Sequence, residues 1–339
     1  MNPRNLLKSR SFALLGLAAT SLLPQAANAA ESLTIYSGRT ESLVAPIINQ
    51  FKKTTGIDVT VRYGGTAQLA IAIEEEGAKS PADIIWAQDA GALGALNKAG
   101  ALAALPESIT TRVPELFRNH NNTWVATSGR ARVLAYSPER VAADALPKSV
   151  FDLTDPKYKG RVGWAPSNAS FQTFVTAMTI DHGVDKTRAW LEAMKANETK
   201  AYAKNAPIIQ GIAAGEVDFG LPNHYYLLRF KASDEAYPVA QTFFQDGDTA
   251  NMINVAGVGM LKSSKNVSTA EKFILFLLSP VAQQYFTSQV FEYPVTDEVI
   301  ASSLLEPFES VLKHAPKIDL EKLDNLEATL KLLSEVGLL

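Results

Sequence analysis

Apolar residues along the chain alternate between two spacings. Leu33-Thr-Ile-Tyr-Ser37 has the short, β-branched character of a buried strand and ends at Gly38. Leu43, Val44, Ile47, Ile48 and Phe51 then fall on one helical face, with Thr40 as a candidate N-cap and Gly56 as the stop. The alternation repeats. Val59–Tyr63 predicts a strand, Gly64-Gly65-Thr66 a turn into a helix marked by Leu69, Ile71 and Ile73, and Ala82–Trp86 a third strand ahead of a helical stretch at Leu93–Leu96. Strands alternating with helices predict a parallel sheet covered on both faces, with ligands outside the carboxyl ends of its strands. Those ends carry Ser37-Gly38-Arg39-Thr40, Gly64-Gly65-Thr66 and Gln88-Asp89.

A second region follows. Trp124–Tyr136 predicts a long strand passing between two lobes, interrupted by Ser128-Gly-Arg-Ala-Arg132. Beyond it, Gly160–Trp164 predicts a strand, and Ala165–Phe171 a turn into a helix at Thr173–Ile180. Ile208–Ala214 predicts another helix, and Glu216–Gly220 a strand. Small residues at a helix start make a cradle for anions, which brings in Ser167 and Asn168. Asn168, Asn205 and Tyr225 are thereby expected on one rim. Ile253–Met260 returns the chain to the first lobe. Ser268–Glu271 reads as a capping box before an apolar helix, Pro280–Thr287 as a further helix, Glu292–Val295 as an extended segment, and Leu320–Val336 as a helical tail.

The amino terminus stands apart from this pattern. Arg4, Lys8 and Arg10, the apolar run Phe12–Leu23 and Ala27-Asn-Ala29 have the order of a cleavable secretory signal. Residues 1–29 are therefore assigned to it, and the mature chain is expected in the periplasm. No later stretch reaches the roughly 18 uninterrupted apolar residues of a spanning helix. Losing three basic residues with the signal takes the formal charge from −3 to −6, which argues against nucleic acid as a partner. A hydrophobic content of 47% argues against disorder, and the absence of cysteine leaves the core alone to hold an exported fold. The remaining length suits two domains.

The candidate chemistry centres on Gly220-Leu-Pro-Asn-His-Tyr-Tyr226. Two adjacent phenols at a loop-to-helix junction offer hard oxygen ligands, which suit a small, highly charged cation such as ferric iron. A phenol of pKa about 10 gives up its proton at neutral pH only to something strongly positive. Taken alone, the pair more often means one packed and one surface-reaching tyrosine; the rest of the chain shifts the reading.

Six short segments in register resemble the periplasmic ferric-iron-binding proteins of ABC transporters: Leu33–Arg39, Glu74–Gly77 with Ser80–Asp83, Ser128–Arg132, Val162–Pro166, Asn223–Tyr226 and Glu292–Val295. The resemblance implies an α/β, two-lobed class II periplasmic-binding-protein fold. Each lobe would be a mostly parallel sheet flanked by helices, and two crossing strands would join them. Lobe 1 is expected over 30–131 and 257–305, and lobe 2 over 132–256 and 306–339. The resemblance further implies Fe3+ held by Tyr225 and Tyr226, with a synergistic carbonate or phosphate, in a monomer that delivers to a permease. Tyr36 is a further candidate ligand. Where one branch of the family carries ionisable first-lobe ligands, this chain has Thr40 and Gln88, so exogenous ligands are expected to complete the shell. Arg39 is the first candidate for the anion, because a guanidinium fork matches a planar carbonate. Ser167, Asn168, Asn205 and Asn223 are second candidates, with helix capping as the competing role. Arg130 and Arg132 are alternatively structural partners of lobe carboxylates, the reading favoured for Arg132.

Two other readings compete. An oxyanion or small organic solute would suit the same fold and the Arg39 cradle. An exported hydrolase finds little support, since there is no G-x-S-x-G or H-E-x-x-H segment and His120, His182, His224 and His314 are scattered. His224, beside the tyrosines, could support them but reads in preference as a turn residue, and Asp246 with Asp248 as plain turn chemistry.

Overall fold

The computed structural model describes residues 31–339; the secretory segment expected at 1–29 lies outside the described residues. Ten strands form two five-stranded sheets. They are β1 (Ser32–Ser37), β2 (Asp58–Tyr63), β3 (Ile84–Ala87), β4 (Trp124–Ala131), β5 (Leu134–Tyr136), β6 (Val162–Trp164), β7 (Lys200–Ala201), β8 (Phe219–Gly220), β9 (Ala240–Thr242) and β10 (Ile253–Met260). The helices are α1 (Glu41–Thr55), α2 (Thr66–Glu76), α3 (Ala90–Lys98), α4 (Glu107–Thr110), α5 (Ala169–His182), α6 (Val184–Ala196), α7 (Asn205–Ala213), α8 (His224–Ser233), α9 (Val267–Leu277), α10 (Pro280–Tyr285), α11 (Phe308–His314) and α12 (Leu326–Glu335).

The first sheet has the order β2-β1-β3-β10-β4 and the second β7-β6-β8-β5-β9. In each, the βα repeats supply parallel pairings, β1 with β2 and β3, and β6 with β7 and β8. The crossing strands run the other way. β10 is antiparallel to both β3 and β4, and β5 to both β8 and β9. Both sheets are therefore mixed rather than mostly parallel, because a strand that carries the chain between lobes has no crossover helix to turn it round. The chain leaves the first sheet after Ala131 and enters it again at Ile253, so 253–256 lie in the first sheet and not with the second lobe as expected.

Each sheet has its own aromatic core. Trp86 and Phe51 both meet Phe273 of α9 edge-on, with ring centroids 5.9 and 5.0 Å apart. In the second sheet Trp164 meets Phe171 of α5 and Trp190 of α6 in the same manner. Burial of each such ring contributes roughly 1.5–3 kcal/mol. Two glycines allow close approach. A Cβ at Gly257 would lie 2.6 Å from Leu93 Cδ1, and one at Gly220 would lie 2.2 Å from Ile208 Cγ2, so α3 and α7 sit directly on their strands. The tail touches helices of both lobes: Leu320–Asp324 packs on α3, and the Thr329 hydroxyl of α12 meets Thr176 of α5 at 2.6 Å. α9 begins at Val267 with Asn266 as its cap, so Ser268 and Glu271 lie inside the helix and form no capping box. No helix among the described residues is long and apolar enough to cross a membrane.

Candidate metal centre

The short strand β8 ends at Gly220, and Leu221-Pro-Asn223 leads into α8, whose first turn is His224, Tyr225 and Tyr226. Helical side chains lean toward the amino-terminal end, so the two phenols converge at the mouth of the helix. Their rings stack with centroids 4.2 Å apart and planes 30° apart. Tyr225 is fully buried and Tyr226 nearly so. From the first lobe, Gln88 Nε2 donates to the Tyr225 hydroxyl at 3.1 Å. Burial pushes the Tyr226 phenol well above its ordinary pKa, and its hydrogen bond with Tyr225 adds to the rise; Arg39 and Asn205 oppose it. Without a cation the Tyr226 phenol is therefore neutral.

An open cavity of about 560 Å³ is bounded by Arg39, Thr40 and Gln88 from the first lobe and Ser167 and Asn168 from the second; the phenols do not line it, and it meets the pair only through Gln88, while Tyr226 borders a separate cavity with Arg229, Phe230 and Phe291. Thr40 caps α1 by position but makes no side-chain bond there. Asn168 is committed to the start of α5, where its Oδ1 accepts from the Ser170 backbone N–H (3.0 Å) and hydroxyl (2.7 Å). Asn205 Nδ2 donates to the same oxygen at 3.3 Å. Asn223 is fixed through its backbone, bridged to Arg132, and its Nδ2 has no partner among the described residues.

Tyr36 takes no part in this assembly. Its hydroxyl donates to Glu76 at 3.0 Å and accepts from Arg62 Nη1 at 3.0 Å, in a cluster between β2 and α2. β1 is largely buried on both faces, so the strand motif alone does not fix which way Tyr36 points; in the structure its hydroxyl is engaged by Glu76 and Arg62.

The arginines also differ from expectation. Arg39 grips Glu292 with Nη1 and Nη2 at 2.9 and 2.8 Å, and the Ser128 hydroxyl donates to the same carboxylate at 2.6 Å. Burial works against the Arg39 charge, but Glu292 holds its pKa above the ordinary value. With one N–H of each Nη given to Glu292, Arg39 has its paired fork committed, and its buried Nε has no partner. Arg130 is the reverse: it is 1% exposed, yet none of its three nitrogens has a hydrogen-bond partner among the described residues. Burial lowers its pKa, with Tyr225 and Glu292 close enough to offset part of that fall. Arg132 is structural, but through carbonyls and rings instead of carboxylates. It donates to Ser170 O and Leu221 O and lies 4.8 Å over the Phe174 ring. Burial pushes its pKa down to about 9.

His224 is a buried helical residue and not a turn residue. Its Nδ1 accepts from the Ala131 N–H at 3.1 Å and its Nε2 meets Phe291 O at 2.9 Å, while burial pushes its pKa down to about 4. Sequence reasoning missed Glu292 as the partner of Arg39, since the two stand 253 residues apart. It also gave Arg130 no free role. Among the described residues no group of three or more His, Cys, Asp or Glu is placed to hold a metal.

The sequence profile of the bacterial extracellular solute-binding proteins matches residues 79–309. The Fe(3+)-binding periplasmic protein of Serratia marcescens is 33% identical over 98% of this chain and 99% of its own length. Iron-bound HitA from Pseudomonas aeruginosa superposes with a TM-score of 0.86 at 34% identity, covering 91% of this chain and 99% of that one. A Trichodesmium protein in complex with iron and citrate gives a TM-score of 0.73 at 30% identity, over 91% of this chain and all of the other. By its matched length, its two mixed sheets and these relatives, the chain belongs to the bacterial extracellular solute-binding proteins, a non-enzymatic family, and within it to the periplasmic ferric-iron-binding proteins.

Proposed function

We propose that this protein captures Fe3+ in the cleft between its lobes, with the phenolates of Tyr225 and Tyr226 as its protein ligands, and hands the ion to an ABC permease of the inner membrane. One observation carries the reading: two stacked, buried phenols converge at a helix mouth, and an amide from the opposite lobe reaches one of them. Each phenol surrenders a proton to the trivalent ion, so binding releases protons and acid releases iron. Two phenolates leave a six-coordinate ion short of ligands, and a carbonate or phosphate fills part of the remainder. Arg130 is the better anchor for that anion, because all three of its nitrogens are buried and unmatched while both Nη of Arg39 already donate to Glu292. Arg39, Thr40, Gln88, Ser167, Asn168, Asn205 and Asn223 shape and solvate the cleft around it.

The test is Tyr225→Phe with Tyr226→Phe, which removes two hydroxyls and keeps both rings. The double variant should lose the visible ferric-phenolate band and its bound iron while melting normally. Unchanged iron affinity would refute the ligand assignment. The buried guanidiniums favour the oxyanion carrier as the second reading, and a colourless protein that binds phosphate without iron would select it.

A further inference from the structure

His224 lies where three segments meet. Ala131 is the last residue of crossing strand β4, and its N–H donates to His224 Nδ1; that nitrogen is therefore the acceptor, and the ring proton sits on Nε2, facing Phe291 O. Phe291 belongs to the first-lobe segment that continues into Tyr293, which pairs with Gly129 of the same strand at 2.8 Å in both directions. The histidine itself opens the second-lobe helix that carries the phenols. A neutral imidazole has one donor and one acceptor, and here both are spent across the hinge.

The ring also backs the site. It meets Tyr225 edge-on at 5.8 Å and Tyr293 at 5.0 Å, while Tyr226 stacks on Tyr225. Tyr225 is thus held between the histidine and its fellow tyrosine. Phe291 ends a π-helical turn, Phe286–Val290, in a left-handed conformation (φ 62°) uncommon for a bulky residue. That backbone reversal aims two successive groups inward: the Phe291 carbonyl at His224, and the Glu292 carboxylate at Arg39 and Ser128.

We infer that His224 is a positioning residue that couples the hinge to the iron site, transmitting the placement of Ala131 and Phe291 to the Tyr225 ring and so setting how firmly the closed cleft retains its ion. This rests on the ferric reading above but adds a residue that touches no metal. Opening the lobes moves Phe291 relative to α8, which breaks or stretches the Nε2 bond and frees Tyr225 to turn. Iron release is thereby tied to hinge opening.

The test compares full-length mature wild type with His224→Leu, which keeps apolar bulk without hydrogen bonds, and His224→Gln, which keeps one donor and one acceptor. Loss of a buried hydrogen bond that orphans a carbonyl corresponds to about a tenfold effect. His224→Leu should release iron to excess citrate about tenfold faster, with a shifted visible band, and His224→Gln should recover most of both. A band and release rate identical to wild type in His224→Leu, with only a lowered melting temperature, would overturn the coupling. Should His224→Leu fail to fold, His224→Phe, which keeps a ring but no hydrogen bond, takes its place: faster release with a shifted band supports the coupling, and a wild-type band and release rate overturn it. Small-angle scattering of the iron-free proteins separates this from failure of the ferric reading. A more open His224→Leu supports hinge coupling even if wild type proves colourless, and an unchanged envelope in that case overturns it.

Discussion

Two buried corners near the phenols, at Glu292 and at Arg130, are built around the same side chain and resolved in opposite ways. At one, a buried guanidinium meets a buried carboxylate fork to fork, with a serine hydroxyl completing the carboxylate. At the other, an equally buried guanidinium has no hydrogen-bonded counterion among the described residues, although Tyr225 and Glu292 lie within electrostatic reach. A buried, unmatched charge costs several kcal/mol unless something compensates it. The first corner is thus finished by folding, and the second is suited to completion by a ligand. Under the function proposed above, the contrast separates an arginine that shapes the fold from one left open to the cargo's anion.

The comparison breaks most visibly at the finished corner. Glu292→Gln leaves Arg39 buried without its carboxylate, and denaturant unfolding should show a loss of about 3–5 kcal/mol. A near-neutral result would mean that Arg39 finds another partner, and the two corners would cease to differ. Arg130→Met should behave oppositely in the iron-free protein, with stability unchanged or raised because a charge without a partner is gone. Its cost should appear on loading. Iron affinity in carbonate buffer should fall about 10–100-fold, as for other groups that support metal ligation indirectly, and much less in buffer free of small anions. An equal fall in both buffers would remove Arg130 from the anion site.

The alternating periods of the chain made the βα order and the placing of the phenols at a loop-to-helix junction legible, because both depend on local pattern. Antiparallel insertion of β10 was not legible, since Ile253–Met260 reads the same in either direction and its partners, β3 and β4, lie far away in sequence. The same limit explains Tyr36. A strand buried on both faces has no polar alternation to show which side a tyrosine takes, and its Arg62–Glu76 partners come from other elements. Asn168 as a cap was readable from its place before a helix, whereas the engagement of Arg39 depended on a residue at the other end of the chain.

Asp218 sharpens the comparison by moving the carboxylate–arginine pairing to a partly exposed site. Just ahead of β8, which delivers the tyrosines, its two oxygens accept from Arg140 Nε at 2.6 Å and Arg161 Nε at 2.7 Å. Burial tends to raise the Asp218 pKa, but the hydrogen bonds from both arginines outweigh it and hold the carboxyl below its ordinary value. The folded protein therefore binds this proton less readily than the unfolded chain. Its contribution is complete above the unfolded carboxyl pKa of about 3.9 and is lost as pH falls through the lower folded value. Because both arginines are partly solvated and screened, Asp218→Asn should cost only about 1–2 kcal/mol at neutral pH, well below the Glu292→Gln loss. The deficit relative to wild type should shrink as pH falls below about 3.9, when the native carboxyl takes up its proton. Denaturant midpoints of both proteins from pH 7 downward measure this, and a deficit that stays constant into strong acid would show that the hydrogen-bond geometry at Asp218, and not its charge, braces the strand leading to the phenols.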